Sequence, residues 1–257
     1  MATLGEQAVG SIVKLNVNGA AKNFIVVHQG LPGSMYDASC DGTWLLMQDI
    51  YTKRVFDSTD HDYENSDIHN YLQNTFINLF DSNIKAVVKQ VRIPYRKGVG
   101  DSETVMTGAN GLSAKAFLLS VTEVYSLTVK KPVEGVTLDY FDGKYDNVRE
   151  ASSSWHLRTP ALSGNKATYL VYGSGMVSTG GCTASQGIRP AIVFPPEYGV
   201  SSDGMITLSS KAITGSVTIN GVQRELTGKG YINIGGVLRD LSDSRVNIGG
   251  TLKSLKG

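Results

Sequence analysis

The chain is poor in the residues that build common catalytic and metal centres. Of 257 residues only two are cysteine, Cys40 and Cys182, and they form neither a CxxC nor a zinc spacing. A disulfide between them stays open, although two reduced thiols are the favoured state for a chain folded in cytoplasm. The four histidines, His28, His61, His69 and His156, lack partners at metal-ligand spacing, and neither HExxH nor a Gly-x-Ser-x-Gly elbow occurs. Charge of one sign is not in excess, with 24 Lys and Arg against 23 Asp and Glu. No basic block exists to follow a phosphate backbone or an anionic lipid surface, which argues against nucleic acid as a partner. No apolar run approaches the ~20 residues that span a bilayer, so membrane insertion is not expected. Residues 1–7 have neither the basic nor the apolar region of a secretory leader.

The remaining chemistry is thin. Asp60, Asp62 and Glu64 could offer oxygen ligands to calcium, but the stretch lacks the glycine of an EF-hand loop and reads as a solvated acidic loop. His156 reads as a strand residue facing away from Leu157 rather than as a base. No catalytic residue, metal or cofactor is therefore expected. An enzyme with an unfamiliar site using Cys182 remains an outlying alternative.

What the sequence does have is glycine, 29 in all, among many Thr, Ser, Asn and Val, the composition of short strands and tight turns. Val13, Leu15 and Val17 alternate with polar neighbours. Asn18-Gly19 then suits a two-residue turn, because both positions accept positive φ, and residues 20–27 return as the second strand of a hairpin. A further strand is expected at residues 43–47 and a surface loop at 57–65. Ser66 caps the clearest helix, with Asp67 at the positive end of its dipole and Ile68, Tyr71, Leu72, Phe76, Leu79 and Phe80 along one apolar face. A shorter helix is expected from Ser82, a buried strand at 116–120 and a short helical piece at 122–127.

Two motifs organise the second half: Trp155-His156-Leu157-Arg158-Thr159-Pro160, and Gly187-Ile188-Arg189-Pro190-Ala191-Ile192-Val193. Each is an apolar strand-like run carrying one arginine. Trp155, Arg158 and Arg189 read as a structural frame, a core aromatic and two guanidinium clamps, since buried polar groups need partners. Between them, residues 161–186 are rich in Gly, Ser, Thr and Tyr, the mixture that binding loops use for contact area and adaptable hydrogen bonds. The candidate ligand-binding residues are Asn165, Tyr169, Tyr172, Ser174, Ser178, Thr179 and Gln186. Residues 169–172 also read as an ordinary strand, of which only the outward face could bind.

Beyond Pro195-Pro196 a short repeat begins. Ile219-Asn220-Gly221-Val222 is echoed by Ile234-Gly235-Gly236-Val237 and by Ile248-Gly249-Gly250-Thr251. Each copy reads as a two-residue hairpin, and a lone hairpin has little core of its own. The segment is expected to act as an assembly handle or as a passive cap. The expected organisation is a domain at 9–196, a linker at 197–210 and a β-hairpin appendage at 211–257.

The order of these motifs resembles a bacterial and prophage family, the domain of unknown function numbered 6273. The residues carrying the resemblance are Leu45-Leu46-Met47-Gln48-Asp49-Ile50, Tyr63-Glu64-Asn65-Ser66-Asp67-Ile68, Phe117-Leu118-Leu119-Ser120 with Glu123, and the two arginine motifs. The resemblance covers roughly residues 9–196 and implies an α+β, C-type-lectin-like fold, in which two helices flank a twisted antiparallel sheet. That fold also serves formylglycine-generating enzymes and phage receptor-binding proteins. The oxidase chemistry does not carry over, since only Cys182 lies in the corresponding region, and the Glu-Pro-Asn and Trp-Asn-Asp motifs of calcium lectins are missing. The terminal hairpins resemble the ends of phage structural proteins. Together these resemblances imply a non-enzymatic virion protein, assembled in the cytoplasm of a bacterial host. It would recognise a cell-surface glycan or protein and contact other virion proteins, as a homo-oligomer, by fold analogy a trimer. A capsid or tail decoration without a receptor role is the alternative.

Overall fold

The alternation of Val13, Leu15 and Val17 produces the strand it dictates: all three are fully buried, and the chain reverses at Asn18 (φ 53°) and Gly19 (φ 74°). A computed structural model describes residues 2–98, 104–125, 133–161 and 166–210, and the backbone of six further strands between residues 215 and 254. In chain order the strands begin β1 (Ile12–Val17), β2 (Ala20–Gln29), β3 (Thr43–Met47), β4 (Thr52–Arg54), β5 (Val91–Ile93), β6 (Tyr95–Arg96), β7 (Val105–Met106) and β8 (Leu112–Ala114). They continue with β9 (Ala116–Phe117), β10 (Trp155–Pro160), β11 (Ala167–Val171), β12 (Val177–Gly181), β13 (Gln186–Ile188), β14 (Ala191–Phe194), β15 (Tyr198–Val200) and β16 (Ile206–Ser210). The helices are α1 (Asp67–Asn74), α2 (Ser82–Val87) and α3 (Val121–Val124).

The architecture is α+β and mostly sheet. One five-stranded sheet runs β1-β2-β3-β14-β9, antiparallel throughout. The other runs β12-β11-β10-β13-β4, with β10 and β13 parallel. The chain passes from one sheet to the other at Arg189-Pro190, between β13 and β14. The second arginine motif, expected as one run, is thus two strands in two sheets. Proline can neither donate to a ladder nor continue a central strand, so it marks the crossing.

α1 starts at the expected cap, where Ser66 Oγ accepts from the His69 amide at 3.1 Å, and it buries Ile68 and Leu72. The apolar face continues through Phe76 and Phe80, but not as one helix. Thr75, at φ −115°, ends α1, and residues Phe76–Leu79 tighten into a 3-10 turn with the Phe76 and Phe80 rings edge to face at 5.4 Å. The strand expected at 116–120 stops at Phe117. The Leu118 amide donates to Tyr63 Oη (2.9 Å), the Leu119 carbonyl accepts from the Arg158 amide (2.9 Å), and Ser120 caps α3, so the backbone groups have left the ladder.

Residues 197–210, expected as a linker, instead form the hairpin β15–β16. It is tied to the start of the chain: Gly5 N–H donates to the Pro196 carbonyl (2.8 Å), Val200 N–H to Ala2 (2.9 Å) and Lys14 N–H to Gly204 (2.8 Å). Beyond it, β17 (Gly215–Ile219) pairs with β18 (Val222–Leu226), β19 (Tyr231–Ile234) with β20 (Val237–Asp240), and β21 (Arg245–Ile248) with β22 (Thr251–Ser254). The innermost pairs are Ile219↔Val222, Ile234↔Val237 and Ile248↔Thr251, the register that the sequence repeat dictates. Among the described residues no helix is long and apolar enough to cross a membrane.

Candidate ligand-display site

The frame residues all lie inside. Arg158 is fully buried and makes a two-pronged ion pair with Glu123, Nη1 to Oε2 and Nη2 to Oε1, both at 2.7 Å. Its Nε reaches Glu134 Oε1 and the Pro94 carbonyl, each at 3.2 Å, and its Nη1 reaches the Leu118 carbonyl at 2.9 Å. Tyr36 Oη donates to Glu123 at 2.8 Å. Burial pulls the Arg158 guanidinium down, but the Glu123 and Glu134 charges override it and hold the group above its ordinary value. Burial pushes Glu134 up to about 7, against the pull of Arg158. Trp155 Nε1 donates to the Arg149 carbonyl at 3.1 Å. Arg189 is different: its Nε donates to the Met47 carbonyl (3.1 Å) and its guanidinium lies 4.8 Å from the centre of the Trp155 ring. Burial lowers it to about 10, only partly opposed by Tyr140 and Asp49. The arrangement is a set of clamps without access to solvent.

The candidate nucleophiles and bases are equally absorbed. Both cysteines are free and buried; burial pushes the Cys40 thiol up to about 12 and raises Cys182 as well. Burial lowers His69 and His156 to about 4, which keeps both rings neutral at neutral pH. His156 sits in β10, all six residues of which are buried, with Nε2 3.1 Å from the Arg54 carbonyl.

The acidic loop is not the solvated stretch expected. Asp57, His61, Asp62 and Tyr63 are buried. Desolvation would raise Asp57, but the amides of Thr59, Asp60 and Asp67 and the Thr59 hydroxyl all donate to it and hold it below its usual value. The Asp60 carboxylate accepts from the Asp62 amide and Asp62 from Glu64, while Glu64 accepts from Tyr95 Oη at 2.8 Å. These carboxylates shape the turn into α1. Among the described residues no three His, Cys, Asp or Glu side chains converge on a metal position.

The segment between the arginine motifs is not a soft insert: it supplies β11 and β12, two strands of a five-stranded sheet. Gly180 there serves packing, since a Cβ on it would collide with the Leu170 side chain. The predicted binding residues scatter. Tyr169 and Thr179 are cross-strand partners on one face, with Tyr169 half-buried, while Ser178 lies opposite Leu170 on the other face. Gln186 is on β13 beside Arg54, separated from β11 by β10. Asn165 lies outside the described residues. Tyr172 and Ser174 stand exposed at the β11–β12 tip.

That tip is held firmly. The Tyr172 amide donates to the Met176 carbonyl (2.8 Å), Gly175 takes φ 85°, and a Cβ there would strike the Asp146 carbonyl. Arg149, buried and ion-paired to Asp146, donates from Nε to the Gly175 carbonyl at 3.0 Å. Ala151 N–H donates to Gly173 at 3.2 Å. Among the described residues, three of the six exposed large apolar side chains sit at or beside this junction: Tyr145 at 85 %, Met176 at 50 % and Tyr172 at 39 %. Tyr145 is beyond the reach of sequence spacing, because the 3-10 turn Asp146–Arg149 meets the tip only in three dimensions, whereas Met176 lies in the tip itself but outside the Tyr, Ser and Asn pattern of a binding loop.

A family model, Domain of unknown function (DUF6273), matches residues 41–196. The chain belongs to this family. The DUF6273 match runs from just before β3 to just after β14, so it holds the Arg158 clamp, the Arg189 crossing and the β11–β12 tip. It leaves out β1, β2 and everything from β15 onward. Comparison with curated proteins and with solved structures yields no match for the chain.

Proposed function

We propose that this chain is a non-enzymatic binding protein of a phage or prophage particle. Its DUF6273 domain takes a C-type-lectin-like form and presents the β11–β12 tip to a bacterial surface molecule. The observation that carries the reading is the tip itself: Tyr172, Ser174 and Met176, with Tyr145 alongside, exposed on backbone pinned by Arg149 and by Gly175, which admits no side chain. Exposed aromatic rings on a rigid support give contact area at small entropic cost. The groups that could do chemistry are committed to clamps and turns, which favours binding over catalysis. The paired hairpins after β16 suit attachment to other virion proteins or to further copies of the chain, because two-stranded units gain stability by stacking on neighbours.

Gold labelling of native particles with an antibody to this chain tests the setting. Label at a tail tip or fibre supports receptor recognition, uniform label over a head or tube supports decoration, and label on no particle removes the virion reading. A labelled full-length chain should also bind host cells, and replacing Tyr145 and Tyr172 together by alanine should abolish that binding. Unchanged binding would sink the role given to the tip.

A further inference from the structure

At the edge of the second sheet opposite β12, α1 and β4 enclose an open groove of about 430 Å3. Helical periodicity builds one wall. Residues three and four apart share a helix face, which brings Asp67, Asn70, Tyr71 and Asn74 together, and Thr75 extends the wall. The other wall is Lys53, Arg54 and Val55. Asn74 Nδ2 donates to Asn70 Oδ1, setting the two carboxamides side by side. The Arg54 guanidinium carbon lies 3.8 Å from the centre of the Tyr71 ring, so this long side chain is parked rather than free.

The lining selects its occupant by chemistry. Lys53 and Arg54 are exposed, and among the described residues neither is ion-paired to a carboxylate. Two cations against one Asp67 leave the groove positive, which favours an anionic ligand. A guanidinium stacked on a ring keeps its N–H edge for a forked pair with a carboxylate. The carboxamides and the Thr75 hydroxyl both donate and accept, as an array of sugar hydroxyls requires. Apolar contact is limited to Val55 and the part of Tyr71 that Arg54 leaves uncovered, so an aliphatic or stacked aromatic ligand gains little. The volume falls in the lower part of the roughly 300–1,000 Å3 range of small-molecule sites.

We propose that the groove between β4 and α1 binds an acidic saccharide, with Arg54 and Lys53 holding the carboxylate of a uronic-acid sugar and Asn70, Asn74 and Asp67 its hydroxyls. This contact stands apart from the β11–β12 tip, at the other edge of the same sheet, and does not depend on it.

The test is titration of the full chain with tetragalacturonate, followed by calorimetry and by the side-chain amide signals of 15N-labelled protein. The expected result is saturable binding that shifts the Asn70 and Asn74 amides and weakens as salt rises. Arg54→Gln and Asn70→Ala should each weaken it at least tenfold, Arg54→Lys less than Arg54→Gln, and Tyr172→Ala not at all. These side chains are exposed, so thermal melts of the variants should match the parent and exclude misfolding as the cause. Lack of saturable binding, or binding that survives Arg54→Gln, overturns the proposal. Equal binding of maltotetraose overturns the acidic assignment, and equal competition by inorganic phosphate reduces the groove to an anion site and overturns the saccharide.

Discussion

Arg158 and Arg189 are both buried at the second sheet, and they are buried by opposite means. Arg158 takes a two-pronged pair with Glu123, a further carboxylate in Glu134 and two backbone carbonyls, so that segments around residues 94, 118, 123 and 134 close on one guanidinium and Tyr36 joins them through Glu123. Arg189 has a single hydrogen bond to the Met47 carbonyl and the face of Trp155, with no carboxylate within ion-pairing distance among the described residues. A buried charge can thus be met by ions or by dipoles and a ring. Only the first arrangement joins many parts of the chain, because each of its oxygens and N–H groups needs a defined partner. The desolvation cost of an ion pair is large, so its partners must stay together once buried.

The contrast can be broken most forcefully at Glu123. Glu123→Ala strands Arg158 and removes the α3 capping box, and should cost about 3–5 kcal/mol in urea denaturation. A loss below about 1 kcal/mol would mean that Glu134 alone serves the guanidinium.

Glu134 sharpens the comparison through pH. Its carboxyl sits at about 7 in the fold because of burial, above its ordinary value of 4.5. Between those values the folded chain keeps a proton that the unfolded chain has released. This contribution is fully present below about pH 4.5 and is lost as pH rises through about 7. His69 and His156, lowered to about 4 by burial, work in the opposite sense, giving stability above their ordinary value that is lost as pH falls toward 4. The parent's curve is a balance, and the difference between Glu134→Gln and parent isolates the carboxyl. That difference should grow from pH 4.5 to 7 in favour of the variant and then level off; a flat difference would place Glu134's titration elsewhere.

Arg189→Met should cost far less than Glu123→Ala, within about 1.5 kcal/mol of the parent, because no ion-paired carboxylate is left behind and an apolar side chain of similar length can lie on Trp155. A loss as large as that at Glu123 would show that the crossing between sheets depends on the Arg189–Met47 hydrogen bond. The smallest effect belongs to the β11–β12 tip. Tyr172→Ala should leave the melting curve within about 0.5 kcal/mol of the parent, since an exposed side chain away from caps and clamps contributes little to stability.

Local signals were legible in the sequence. Asn18-Gly19 gave the hairpin turn, Ser66 the start of α1, and the Gly-rich repeats the pairs β17–β18, β19–β20 and β21–β22. Each depends on residues within a few positions of one another. The Arg158 cluster does not: Ser120-x-x-Glu123 is readable as a capping box, but the same carboxylate's ion pair to a residue 35 positions away arises only from packing. Composition misled between the arginine motifs, where glycines suggesting a loose loop instead make room for Leu170 and for the Asp146 carbonyl. Tyr172, Ser174 and Met176 share one short stretch of sequence, whereas Tyr145 joins them only through packing, because no spacing rule links residue 145 to the tip. The β4–α1 groove was also missed, since its walls belong to separate segments whose sequence signals concern a strand and a helix cap.

The clasp between the start of the chain and β15 has a mechanical consequence. Tension arriving from beyond Ser210 reaches the β15–β16 hairpin first, and there it is met by the hydrogen bonds from Gly5 to Pro196, Val200 to Ala2 and Lys14 to Gly204. These few bonds lie outside the long ladders of either sheet. They would part before the β3–β14 pairing, whose four residue pairs run through the buried centre of the first sheet. The clasp is a mechanical fuse. A pull from that side would lengthen this connection by one short hairpin and spare the two five-stranded sheets.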